Sequence, residues 1–204
     1  MKLYYSPGAC SLSPHIALLE AGLPYDLVKV DLRAKKTESG DDYLAVNPKG
    51  QVPALRLDSG ELVTEGPVIV QMIADQAAAK GLAPARDSAE RYKLLEWLNF
   101  ITTELHKNFG PMFSPVLADD AKAFFRDRVM GKFKYVDSQL AGRDYLMGKQ
   151  FTVADGYLYT MLRWADGHKM DLSGLNNLMA FKARVAARPK VQEALTKEGL
   201  LKAA

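Results

Sequence analysis

The sequence predicts a small α/β domain followed by an all-α domain, on three observations. Before residue 80, strand-like runs alternate with helix-like segments. From Lys80 to Asp87 the chain gathers breakers and charge in Lys80-Gly81-Leu82-Ala83-Pro84-Ala85-Arg86-Asp87. Beyond that break the strand signals nearly vanish and apolar residues recur at helical spacing. The expected boundaries are 1–80 for the first domain, 81–87 for a linker and 88–204 for the helical domain.

Lys2-Leu3-Tyr4-Tyr5 is a short apolar and aromatic run suited to a strand, and Ser6-Pro7-Gly8-Ala9 is a turn. Leu12 to Ala21 reads as a helix stopped by Gly22 and Pro24. Asp26 to Asp31 alternates polar and apolar around Leu27, Val28 and Val30, as a strand does. Ala54 to Leu57 and Leu62 to Thr64 flank the turn Asp58-Ser59-Gly60, a β-hairpin pattern. A helix is expected from about Pro67 to Ala79, with proline in its first turn and Gly81 beyond its end. The order is β-α-β, then β-β-α, which suits a mixed sheet with helices on its faces.

In the second region Leu94, Leu95, Leu98, Ile101 and Leu105 share one long helical segment. Phe125, Val129, Phe133, Val136 and Leu140 do the same on the next. Val153 to Leu162 has a wide apolar arc, the mark of a central helix, and Thr152 to Asp155 is a capping box at its start. Phe181 to Val185 and Val191 to Leu195 suggest two further short helices.

Of the 204 residues 48% are apolar and 25% charged, the balance of a soluble globular protein with a full core. The start lacks the apolar stretch of a signal peptide and no later run is long enough to span a bilayer. A lone cysteine excludes an internal disulfide framework and a multi-cysteine metal site. A soluble, cytoplasmic protein without a metal is expected. The net charge of +3 is too small to argue for nucleic acid, although residues 1–79 carry −3 and the remainder +6.

Cys10 follows the strand and turn and precedes the first helix. A thiol there faces unpaired backbone N–H groups and the positive end of the helix, a setting that can lower a cysteine pKa from about 8.5 to roughly 3.5–7.5. A buried, inert cysteine is the alternative. Cys10-Ser11-Leu12-Ser13 is a C-x-x-S sequence, with Ser13 where a dithiol motif has its resolving cysteine. With the element order, this points to a thioredoxin-like domain without dithiol chemistry.

Asn47-Pro48-Lys49-Gly50-Gln51-Val52-Pro53-Ala54-Leu55 leads through Pro53 into a strand, so Val52 can present its peptide groups to a ligand. Thr64-Glu65-Gly66-Pro67 begins a helix whose free N–H groups suit a carboxylate, while Glu65 suits an ammonium. Together they would hold a zwitterionic amino-acid head.

With Tyr4 to His15, these two segments, Leu105-His106-Lys107 and Phe151-Thr152-Val153-Ala154-Asp155, the chain resembles a bacterial glutathione S-transferase of the beta class over essentially its whole length. The resemblance implies a thioredoxin-like domain, a helical domain, and a homodimer with the substrate cleft between domains. It implies that Cys10 sits beside the glutathione sulfur and that Val52, before a cis Pro53, pairs with the tripeptide backbone. Glu65 and Gly66 would hold the γ-glutamyl end, and Lys35 the glycyl carboxylate. Asn99, Thr103 and His106 would also lie near glutathione, with Lys107 a weaker candidate. On a regular helix the first three fall within about 40° of one face. His15 is expected to be structural, and His168 has no stated role.

The implied activity adds the glutathione thiolate to small, mostly apolar electrophiles. Ser11 would donate through its hydroxyl, and His106 would donate or relay a proton. Thiol transfer or peroxide reduction through Cys10 is a second implied chemistry. A non-catalytic carrier or partner-binding module of the same fold is the rival. Phe109, Met112 and Phe113 are candidates for the electrophile pocket or the core. No nucleic-acid or membrane partner is expected.

Overall fold

The computed structural model describes residues 1–201. Strand β1, Lys2–Tyr5, lies parallel to β2, Asp26–Asp31, and antiparallel to β4, Ala54–Arg56, with Leu3 level with Leu27 and Leu55. β4 pairs antiparallel with β5, Leu62–Thr64, and β2 with the short β3, Lys36–Thr37. The sheet order is β3-β2-β1-β4-β5. Leu57 falls just outside its expected strand, and β3 was not anticipated because two residues carry no readable alternation.

Helix α1 spans Leu12–Ala21, as the sequence predicts. Gly22 ends it with φ 69°, where the N–H groups of Gly22 and Leu23 return to Leu19 O and Leu18 O. A short helix α2, Tyr43–Val46, is capped by the Asp42 carboxylate, which accepts from Leu44 N. Helix α3 runs Gly66–Gln76, three residues shorter at its end than expected, and a 3₁₀ turn, Ala78–Lys80, takes up the rest. Leu3, Leu12, Ile16, Leu18, Leu55, Ile69 and Ile73 form the dry centre of this unit. The other side of the sheet carries Tyr4, Val30, Val52 and Ala54, with Tyr43 packed on it.

The helical unit begins with α4, Ala89–Phe100, which passes without a stop into a π-helical stretch, Ile101–His106, and then α5, Lys107–Phe109. The sequence predicts one regular helix here. The hydroxyls of Thr102 and Thr103 donate back to Leu98 O and Asn99 O at 2.7 and 3.1 Å. They compete for carbonyls of the regular ladder and favour the wider turn. The 40° face drawn for a regular helix therefore does not carry over. A 3₁₀ turn, Gly110–Phe113, leads to α6, Asp119–Gln139. α7, Val153–Gly167, is buried over most of its length, and α8, Asn176–Ala186, packs Leu178, Phe181 and Val185 inward. The capping box is present: the fully buried Asp155 carboxylate accepts from Thr152 N, Thr152 Oγ1 and Leu146 N at 2.7, 2.9 and 2.8 Å.

The compact units differ from the linear division at 81–87. One holds Met1–Ala83 together with the stretch from Ala187, and the other is Pro84–Ala186. Helix α9, Pro189–Lys197, in the segment expected over 88–204, groups by its packing with the sheet-containing unit. A buried polar anchor ties it there. Glu198 accepts from Gly8 N at 2.8 Å and meets His15 Nδ1 at 2.8 Å, while His15 Nε2 meets the Tyr25 hydroxyl at 3.0 Å. His15 is structural, as expected. Among the described residues no helix is long and apolar enough to cross a membrane.

Candidate active site

Cys10 sits in the turn before α1, partly buried, and its Sγ donates to the Val52 carbonyl at 3.1 Å. The Val52–Pro53 peptide is cis. The structure thus brings together two of the expected residues across a 42-residue separation. Gly50 stands at φ +61°, and a Cβ there would press on Leu44 Cδ2 at 3.0 Å and Lys35 Cε at 3.3 Å. Lys35, itself at φ 55°, donates through Nζ to Gly50 O at 2.8 Å, so its ammonium lies against this loop.

Ser11 does not offer the donor that the sequence suggests. It is fully buried, its hydroxyl donates to Ser6 O at 3.2 Å, and the same oxygen accepts from Ser6 N at 3.2 Å. A hydroxyl has one proton, and here it serves the turn. The backbone at the start of α1 remains the electropositive feature beside the thiol.

Glu65 precedes α3 with φ 70°, an uncommon conformation for a side chain without special tolerance of that region. Its exposed carboxylate accepts from Lys49 Nζ at 2.7 Å, and the same ammonium reaches Thr64 Oγ1 at 3.0 Å. Lys49 is a resident cation that the sequence reading missed, although it lies inside the Asn47–Leu55 segment. An exposed ion pair of this kind is worth about 0–1 kcal/mol, so the carboxylate stays available to another cation. At Gly66 a Cβ would meet Pro53 Cγ at 3.8 Å, an ordinary contact, so packing within the protein does not demand glycine there.

In the helical unit Asn99, Thr103 and Lys107 are exposed and His106 is half-buried, along α4, the π-helical stretch and the start of α5. Thr103 Oγ1 bonds within its own helix. His106 Nδ1 lies 2.6 Å from the Tyr157 hydroxyl, and its ring stands edge-on to Trp164 at 4.9 Å. Neither Tyr157 nor Trp164 was singled out in the sequence, because both fall in the apolar period of α7. Phe109 and Met112 are buried in the core, whereas Phe113 is 54% exposed. Phe113 meets Trp164 at 5.0 Å and His168 at 4.6 Å. Burial, with Arg126 and Lys122 adding to it, holds His168 below its ordinary value of 6.5, so it is neutral at neutral pH.

Residues 8–76 match the family model for the glutathione S-transferase N-terminal domain, and residues 103–198 that for its C-terminal domain. The chain is 51% identical to glutathione S-transferase GstA of Escherichia coli O157:H7, over 98% of this chain and all of that one. It superposes on the ternary complex of BphK, a bacterial glutathione transferase, with TM-score 0.96 and 56% identity, covering 98% of this chain and 100% of that one. A sphingomonad glutathione S-transferase solved with glutathione gives TM-score 0.95 and 51% identity over 98% and 100% of the two chains. The beta-class enzyme of Sphingomonas chungbukensis gives 0.96 and 48% over the same shares. With both domain models matched and close relatives along its whole length, the chain belongs to the glutathione S-transferase family, transferases whose co-substrate is glutathione.

Proposed function

We propose that the chain adds the thiolate of glutathione to small, mostly apolar organic electrophiles, with thiol transfer through Cys10 as a side activity. The observation that supports this best is the Cys10 thiol at the start of α1, bonded to the carbonyl that precedes cis-Pro53. In this reading the tripeptide backbone pairs with Val52 and Pro53 shapes the turn. The γ-glutamyl ammonium takes the Glu65 carboxylate, its carboxylate meets the backbone at Gly66, and Lys35 takes the glycyl carboxylate. Asn99, Thr103, His106 and Lys107 complete the site from the helical unit. The electrophile rests against Phe113, the one exposed ring of the aromatic group around Trp164.

A free thiol titrates near 8.5 and is mostly protonated at neutral pH. The positive end of α1 favours its anion, and thiolate is the attacking species. The sulfur forms a bond to the electrophilic carbon while the leaving group departs with the bonding pair. His106, oriented by Tyr157, is the proton donor for that group. In thiol transfer the Cys10 thiolate attacks a glutathione mixed disulfide and the other sulfur leaves as thiolate. The protein is proposed to work in the cytoplasm as a homodimer, which light scattering at micromolar concentration would disprove by finding a monomer.

The test is a substrate panel with glutathione: an aryl halide, a peroxide and a mixed disulfide. Turnover of the aryl halide is expected, and calorimetry should register reduced glutathione. No binding at millimolar glutathione defeats the reading.

A further inference from the structure

Two successive carbonyls in the loop before Val52 are each held by side chains. Lys35 Nζ donates to Gly50 O at 2.8 Å. Tyr43 OH and Asn47 Nδ2 both donate to Gln51 O, each at 2.8 Å. A carbonyl oxygen has two lone pairs, so these two donors fill it from two directions. The peptide unit is planar, and the plane that carries Gln51 O also carries the N–H of Val52. Fixing that oxygen therefore fixes the first peptide group of Val52. The next carbonyl, that of Val52 itself, is the acceptor for Cys10 Sγ.

Tyr43 and Asn47 are built for this. They stand four residues apart, at the start of α2 and at its C-cap, where Asn47 N returns to Tyr43 O at 2.8 Å. Tyr43 is fully buried, with its ring 5.6 Å from that of Tyr4 on β1. Burial, reinforced by Tyr4 and Cys10, pushes its phenol above the usual range, so it remains a donor throughout neutral pH. Asn47 is buried too, and its Oδ1 accepts from Lys49 N at 3.2 Å, which orients Nδ2 towards Gln51.

We propose that Tyr43 and Asn47 are positioning residues, which hold the Val52 peptide groups in line for the Cys10 thiol and for the glutathione backbone. The second half of that statement rests on the reading of Val52 given above. The first half does not.

The test uses Tyr43→Phe and Asn47→Ala, with Tyr25→Phe as a control that removes a phenol bonded to His15 in the same unit. Cys10 is the sole cysteine, so its alkylation by iodoacetamide can be followed against pH without glutathione. A hydrogen bond donated by the neutral thiol favours the protonated form. Loosening its acceptor should move the alkylation midpoint down by about half a pH unit. The limiting rate at high pH should stay unchanged, and the glutathione KM should rise about three- to tenfold with kcat changed less. Tyr25→Phe should move neither quantity. A midpoint unmoved in both variants overturns the proposal, as does a raised limiting rate with an unmoved midpoint, the sign of general loosening. If Asn47→Ala does not fold, the near-isosteric Tyr43→Phe decides. Failure of the wild type to bind glutathione overturns the functional reading and leaves the alkylation result standing.

Discussion

The sulfur of Cys10 donates to the Val52 carbonyl, and its chemistry depends on how easily that contact is exchanged for a ligand. Cys10→Ala removes the sulfur and leaves the positive end of α1. If the thiol only supports bound glutathione, conjugation should fall about five- to hundredfold, the effect of losing one buried partner worth roughly 1–3 kcal/mol. Thiol transfer should disappear altogether. With oxidised glutathione the wild type should gain one tripeptide by intact-mass spectrometry, and the adduct should persist because no second cysteine can resolve it. An unmodified mass after prolonged exposure shows an inert thiol and removes the side activity. The place of Cys10 was legible from a strand, a turn and a helix in sequence. The engagement of Ser11 was not, since nothing in C-x-x-S says that the preceding turn folds back to take the hydroxyl's proton. Lys49 escaped notice for a similar reason: its pairing with Glu65 depends on two loops meeting.

Helices and strands were readable wherever one periodicity ran long enough. Helix α1 agrees with its expected limits because Gly22 supplies a left-handed stop that few other residues adopt. The π-helical stretch was not readable, since its apolar spacing at Ile101 and Leu105 is that of an ordinary helix, and the deviation arises where two threonine hydroxyls bond backwards. The start of α7 was legible through Thr152 and Asp155, yet the pair does more than cap. Asp155 also accepts from Leu146 N, tying the preceding turn to the helix. Asp155→Ala should leave three buried donors short of an acceptor and destabilise the protein by about 3–5 kcal/mol. For a chain of this size that is a fall in Tm of roughly 6–20 °C. Asp155→Asn should fall between the two, as its amide keeps one accepting oxygen. A thermal scan with Asp155→Ala within about 2 °C of the wild type would refute this account of the helix start.

At the scale of the molecule the sequence shows where strand signals cease but not where the C-terminal segment returns. Periodicity is local, whereas Glu198 meets His15 across 183 positions and Gly8 across 190. Glu198 takes the N–H of Gly8, in the turn before Cys10, and so ties the end of α9 to that turn. Its carboxylate is fully buried, and Arg188 adds an outer clasp to Glu20 at 2.6 Å. Glu198→Ala should leave Gly8 N and His15 Nδ1 without this acceptor and destabilise the sheet-containing unit by about 2–5 kcal/mol. Because both partners lie in that unit, hydrogen exchange should quicken in α1, α9 and the Ser6–Ala9 turn while the buried amides of α6 and α7 keep their protection. Glutathione affinity should weaken in parallel, since the residues proposed to hold its backbone and both carboxylates belong to the unit that loosens. Glu198→Gln, which still accepts from Gly8 N, should retain more of both. Equal loss of protection in the two units would mean that the anchor serves overall stability alone, and unchanged exchange in α1 would mean that α9 is held by its apolar face without help from Glu198.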